Sequence, residues 1–140
     1  MTNGICEVWR HDILEELFGG AALAAPATLY FGLCTLCDHD GTITGEPSGN
    51  GYARKSITNN GDLWAAAADG EIANEVAITF AAADGGDWGA LDTWFIANHE
   101  SNDGAAIIVY GDLTVEKTIT DGDTASFAIG ALTISIAETA

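Results

Sequence analysis

The spacing of apolar residues changes near residue 27, from the period of a helix to the alternating period of a β-strand. Before this point, apolar side chains recur every fourth residue, at Ile5, Trp9, Ile13 and Leu17. With charged residues between them, they predict an amphipathic helix over residues 3–18. Asn3 is suited to cap its start, and the two glycines after residue 18 are typical of a helix end.

From residue 27 onward, short runs of alternating apolar and polar residues are separated by turns rich in glycine and aspartate. Residues 27–37 are apolar on both alternating faces, which predicts a central strand covered on two sides. The sequence therefore predicts a mainly β fold: a single antiparallel β-sandwich of about seven or eight strands with an N-terminal amphipathic helix. We divide the chain into a helix or arm at residues 1–22 and a sandwich domain at residues 27–140.

Acidic residues outnumber basic ones by 21 to four, for a formal net charge of −17. So few cations cannot neutralise many phosphates, so binding to nucleic acid is not expected. An anionic membrane surface would repel the chain for the same reason. Because 48% of the residues are hydrophobic, we expect a folded protein rather than an acidic tail. We expect the protein to bind its partners through apolar or main-chain contacts, or through a basic patch on the partner that complements its own negative charge.

The three cysteines, Cys6, Cys34 and Cys37, are an odd number, which argues against a secreted disulfide framework. Cys34 and Cys37 form a CxxC motif, which in other contexts binds metals or exchanges disulfides. On one continuous strand, side chains three residues apart point to opposite faces, so the two sulfurs could meet only if the chain turned between them. We therefore predict buried thiols. The N-terminal residues include no secretory signal pattern, and we expect synthesis in a reducing cytoplasm.

Asp38, His39 and Asp40 resemble the centre of a calcium-binding loop. An EF-hand would need ligands where Leu36 and Pro47 stand, and it would follow a helix rather than a strand. A polar, turn-rich loop is the simpler interpretation, with an incidental cation site as the alternative.

The sequence includes no recognisable catalytic motif. Nothing spaces a nucleophile against any of the three histidines, which are His11, His39 and His99. Phosphate-binding loops and nucleophile elbows are also missing from the sequence. We predict that the chain is not an enzyme and that it uses neither a cofactor nor a metal.

Five residues are candidates for a partner or subunit interface: Trp9, Ile13, Leu17, Arg54 and Lys55. The first three form the apolar stripe of the predicted helix, which something must cover. Either the helix packs on the sandwich or it reaches into a neighbouring subunit. Arg54 and Lys55 are the only two basic residues that are adjacent in the sequence. They either neutralise the charge of nearby acidic residues or contact a partner.

Short motifs along almost the whole chain occur in a recognisable order: LFGG (17–20), PATLYFGL (26–33), GYAR (51–54), VAITF (76–80), WG (88–89), YGDL (110–113), GDT (122–124) and GAL (130–132). In this order the chain resembles a family of small tailed-bacteriophage virion proteins described as tail-fibre-like or as capsid decoration (cement) proteins. The resemblance implies a non-enzymatic virion component. The cysteine pair and the Asp38–His39–Asp40 loop lie outside the shared pattern.

Two functional hypotheses follow. The first is a decoration protein on the exterior of a phage head, a homotrimer that binds the major capsid protein and stabilises contacts between its copies. The alternative is a tail-tip or tail-fibre module that recognises a glycan or protein on the host surface. It predicts specificity in the long loop at residues 38–51, with Tyr52 beside it. A small acidic hydrolase is a third, weaker hypothesis.

Overall fold

The computed structural model describes residues 4–136, which form one α-helix and eleven strands. The α-helix, α1, spans Glu7–Leu14 and continues into a π-helical turn at Glu15–Gly19, and a 3₁₀ turn spans Gly104–Ala106. The strands, in chain order, are β1 Gly4–Ile5, β2 Thr28–Cys34, β3 Leu36–Cys37, β4 Ile43–Thr44, β5 Lys55–Thr58, β6 Glu71–Ala73, β7 Ile78–Thr79, β8 Gly89–Ala97, β9 Ile107–Ile119, β10 Ser126–Phe127 and β11 Thr133–Ser135.

A five-stranded antiparallel sheet forms the centre of the fold, in the order β1-β9-β8-β2-β5. In this sheet β2 lies between β8 and β5, with Phe31 opposite Ile96 on one side and Lys55 on the other. Alternate residues of β2 enter two different cores, since Phe31 belongs to the larger and Cys34 to the smaller. The prediction that this segment is a central strand covered on both faces is confirmed.

The larger core packs one face of the sheet against the turns and short strands that connect and follow its long strands. Its buried members include Leu29, Phe31, Leu33, Leu63, Ile78, Phe80, Trp88, Leu91, Ile96, Val109, Ile119 and Leu132. The smaller core lies where α1 and β3 meet the sheet, and it is formed by Cys6, Cys34, Cys37, Phe95, Ala97, Ile107 and Tyr110. Both cores therefore depend on residues that are far apart in the sequence.

Three two-stranded sheets accompany the central one: β3 with β4, β6 with β11, and β7 with β10. All are antiparallel, and each ladder is only two or three residue pairs long. The fold is therefore mainly β and antiparallel, but it consists of several small sheets, and a single sandwich of seven or eight strands is not confirmed. Frequent glycine turns end each alternating run before it can extend a second large sheet.

The N-terminal helix is shorter than the sequence predicts. Gly4 and Ile5 form β1, which pairs with Tyr110 and Val109, because the outer edge of β9 offers them backbone hydrogen-bond partners. Cys6 occupies the helix N-cap position, and the predicted cap at residue 3 lies outside the described residues. The π-helical turn ends at Gly20, whose φ of 75° is left-handed, as predicted for a glycine stop. Within residues 4–136, no helix has the length and apolar character needed to cross a bilayer.

Two glycines in the central sheet each lie beneath an aromatic ring of β8. Gly32 pairs with Phe95 across β2 and β8, and Gly111 pairs with Trp94 across β8 and β9. A β-carbon at either glycine would collide with the facing ring. The missing side chains therefore leave room for these aromatic rings over the neighbouring strands.

Candidate functional site

Arg54 occupies the interior next to β5, where its guanidinium binds two loops. Its Nε and one Nη each donate a hydrogen bond of 2.8 Å to the carboxylate of Glu46. The other Nη donates to the carbonyl oxygens of His99 and Asn102, at 2.9 and 2.8 Å. Only 1% of the Arg54 side chain is exposed. The residue therefore joins the loop before β5 to the loop that follows β8.

Tyr52 completes this arrangement, which we call the Arg54 cluster (Arg54, Glu46 and Tyr52). The Tyr52 hydroxyl donates to Glu46 at 2.9 Å and accepts the amide N–H of Leu33 at 3.1 Å. Burial, together with the charge of Glu46, raises the pKa of Tyr52, so the phenol remains a neutral donor. The guanidinium carbon lies 4.7 Å from the ring centre of Phe95, close enough for a cation–π contact. The cluster fixes the geometry of the surface above it.

An open pocket of about 530 Å³ lies over the Arg54 cluster. Its lining includes the two tyrosines Tyr30 and Tyr52, the carboxylates of Glu46 and Glu100, and the hydroxyls of Ser48 and Ser56. Tyrosine rings offer a flat apolar surface with a polar edge, while hydroxyls and carboxylates offer hydrogen bonds in several directions. A pocket with this mixture suits a polyhydroxylated ligand such as a saccharide.

The five predicted interface residues are not brought together by the fold. Trp9 and Ile13 are half-buried. The Trp9 indole N–H donates to the carbonyl of Ala105 at 3.0 Å, and its ring packs against the smaller core, so this part of α1 is held against the chain's own 3₁₀ turn and core. Leu17, in contrast, is 66% exposed. Of the basic doublet, Arg54 is interior and Lys55 is exposed. An interface role for these residues remains a prediction.

The cysteine geometry differs from the prediction. The chain bends at Thr35, between β2 and β3, so that Cys34 and Cys37 enter the same core together with Cys6. All three are free and buried, which confirms the prediction of buried thiols. A hydrogen bond between the Cys6 and Cys37 thiols lowers the pKa of Cys6 and raises that of Cys37. Burial raises the pKa of Cys34 to about 12.

The loop with the calcium-like sequence forms a compact turn. The Gly41 amide donates to the Asp38 carbonyl at 2.9 Å, and the Thr42 amide donates to the Asp40 carboxylate at 2.9 Å. The bonds from Thr42 lower the pKa of Asp40. The His39 carbonyl accepts the Glu7 amide at 2.8 Å, which satisfies one free donor at the start of α1. Across residues 4–136, histidines, cysteines and carboxylates form no group of three or more that could hold a metal ion.

The histidine nearest the pocket is already committed to backbone hydrogen bonds. His99 Nδ1 accepts the amide N–H groups of Ser101 and Asn102, at 3.1 and 3.2 Å. The Ser101 hydroxyl lies 3.5 Å from the same nitrogen. Because that lone pair already serves two donors, His99 is poorly placed to activate Ser101 as a nucleophile.

Sequence reasoning missed Glu46 and the buried position of Arg54. Tyr52 and Arg54 are two residues apart, so alternation places them on one face, and this signal was present. Glu46 lies in a loop without periodicity, so nothing in its spacing indicated that it would reach the same place.

A family model described as Podophage GP4 fiber I protein gp80 matches residues 4–135 of the chain. Among curated proteins, none matches. The matched span covers nearly all of the described residues, including the Arg54 cluster and the pocket above it.

Proposed function

The chain belongs to the Podophage GP4 fiber I protein gp80 family, a family of phage virion structural proteins, and from that premise we propose that it is a subunit of a phage tail fibre. The observation that carries this proposal is the family match over residues 4–135, because its description names a fibre protein. The predicted recognition of a host-surface ligand belongs to the same proposal. So does the prediction of a non-enzymatic role.

Our first hypothesis from the sequence, capsid decoration with the major capsid protein as the partner, receives no support from the family's description, which agrees instead with the tail-fibre alternative. Immunogold labelling of purified particles separates the two locations. Label at the tail is the expected result, and label confined to the head would overturn the fibre proposal. The homotrimer that we predicted for a decoration protein we propose for a fibre subunit as well, and sedimentation of the purified protein would measure it.

We place ligand recognition at the pocket above the Arg54 cluster. The loop from residue 38 to 51 was the segment that the fibre hypothesis expected to carry specificity, and Glu46, Ser48 and Gly49 from it line the pocket. The buried hydrogen bonds of Arg54 hold this loop in one shape, which reduces the entropy lost when a ligand binds. A saccharide of the host surface fits the mixture of rings, hydroxyls and carboxylates.

The pocket can be tested by filling it. Ser48→Trp places a bulky ring in the pocket from an exposed loop position. Ser135→Trp makes the same change at an exposed position of β11 that lines a different pocket. We expect fluorescently labelled Ser48→Trp protein to adsorb to host cells at least about tenfold more weakly, a change of 1.4 kcal/mol, while Ser135→Trp adsorbs normally. Equal adsorption of the two variants would place recognition elsewhere.

A further inference from the structure

The far end of the N-terminal helix exposes three large apolar side chains close together. Leu14, Leu17 and Phe18 are 55%, 66% and 83% exposed, and they follow one another within five positions of α1 and the π-helical turn. We call these three residues the helix-end knob. Single exposed apolar residues are ordinary on protein surfaces, but a group of this size indicates a contact surface.

The knob is separate from the part of the helix that packs on the chain itself. Cys6 is buried in the smaller core, and Trp9 packs against that core while its indole bonds to Ala105. After one more turn the helix leaves the sheet, since every residue from Leu14 to Gly20 is exposed. The buried start therefore holds the knob in a fixed position, as preorganised docking elements require.

The surroundings of the knob are acidic. Glu15 and Glu16 lie within it in the sequence and are exposed, and Asp12 precedes it. Arg10, one turn before Leu14, is the nearest cation in the sequence. A partner surface that covers the apolar side chains must also approach these carboxylates, so cations at its rim would favour the contact.

A second copy of this chain cannot supply such a rim. The sequence has four fixed cations, of which Arg54 is interior and Arg10 belongs to the same helix. Lys55 and Lys117 remain, but they lie on β5 and β9, which are separated in the sheet by β8 and β2. A symmetric contact between two knobs would instead bring Glu15 and Glu16 of both copies together, and like charges repel.

We propose that the helix-end knob docks into an apolar socket, rimmed by lysine or arginine, on a different protein of the phage particle. This inference goes beyond the fibre proposal, because it concerns attachment and not the recognised ligand. It holds wherever in the particle the chain resides, so that the two proposals can fail separately.

Photo-crosslinking in assembled particles tests the identity of the partner. Particles are prepared in which p-benzoylphenylalanine replaces Phe18, and in a control replaces Ile129, which is also largely exposed at 68%. After irradiation, mass spectrometry is expected to find Phe18-dependent links to another protein, in a peptide with apolar residues next to lysine or arginine. Links only to copies of this chain, or a yield no greater than at Ile129, would overturn the proposal.

Two double variants test the chemistry of the contact. Leu17→Ser with Phe18→Ser removes apolar surface, and Glu15→Lys with Glu16→Lys reverses the rim charge. Each is expected to lower the copy number of the protein in purified particles at least tenfold. All four side chains are exposed, and Glu16 accepts only a surface hydrogen bond from the Leu23 amide, so thermal unfolding of the isolated variants should change little, which excludes misfolding as the cause.

The matched control for charge is Glu71→Lys with Glu116→Lys, which makes the same change in net charge at two exposed strand positions. It is expected to enter particles normally. Normal incorporation of either knob variant, or an equal loss with the control, would overturn the proposal.

Discussion

Replacing Arg54 with methionine is expected to lower the free energy of unfolding by about 3 kcal/mol. Methionine keeps the apolar stem of the side chain but removes all four hydrogen bonds of the guanidinium. The main loss is at Glu46, whose half-buried carboxylate would lose both guanidinium hydrogen bonds and keep only the one from the Tyr52 hydroxyl.

The magnitude follows from how buried the pair is. Breaking a fully buried ion pair by removing one partner destabilises a protein by about 3–5 kcal/mol. Glu46 retains 21% of its side-chain exposure, so water can partly solvate the orphaned carboxylate, and the lower end of that range applies. The carbonyl groups of His99 and Asn102 belong to exposed residues, and water can replace their lost donor. For a chain of this size the loss corresponds to a fall in Tm of roughly 6–12 °C.

Urea unfolding followed by tryptophan fluorescence measures this change at pH 7. Lys55→Met is the matched control, because it removes the same charge from the adjacent, exposed residue and should change stability by less than about 0.5 kcal/mol. If Arg54→Met also loses less than about 1 kcal/mol, or no more than Lys55→Met, the reasoning from the buried pair is refuted.

Three further predictions concern single side chains. Gly32→Ala should destabilise the fold by about 1–3 kcal/mol, because the new methyl group collides with the buried ring of Phe95. Gly61→Ala is the control, because the space around Gly61 is open, and chemical denaturation of the two variants should show a loss of stability only for Gly32→Ala. Cys34 should resist iodoacetamide at pH 8 in the native state, because its pKa is about 12 and it is buried, and rapid labelling seen by mass spectrometry would contradict this. Asp123 accepts hydrogen bonds from the amide and the hydroxyl of Thr120, and these bonds lower its pKa. Its contribution to the stability of that turn is therefore complete above the ordinary aspartate pKa and is lost as the pH falls through the lowered pKa of Asp123. The Thr120 amide signal in NMR should titrate with a midpoint below about 3.9, and a higher midpoint would contradict the assignment.

The sequence predicted the parts of the fold in which periodicity and burial agree. Residues 27–37 alternate between two apolar faces, and most of that segment is the central strand β2, covered on both sides. The end of the helical segment at Gly20 was also predicted from local sequence, and the structure confirms it. Such features depend only on a residue and its near neighbours in the chain, so they can be predicted from one sequence.

Features that depend on a distant partner were not predictable. Gly4 and Ile5 leave the helical pattern because β9 lies beside them, about a hundred residues away in the sequence. One bend at Thr35 was enough to bring Cys34 and Cys37 into the same core. The burial of Arg54 likewise depends on an acceptor in an irregular loop, which alternation does not describe.

The strand pairings also dictate an order of events during translation. Ile5 can pair only after Val109 has been made, and Ala73 must wait for Thr133. At about 5–20 residues per second, the first of these waits lasts roughly 5–20 s. Throughout that interval the apolar face of β2 and the thiols beside it lack part of their cover, and a nascent chain in this state is open to aggregation and to chaperone binding. The yield of folded protein should therefore be governed by how the unfinished chain is protected while the ribosome completes β9 and β11.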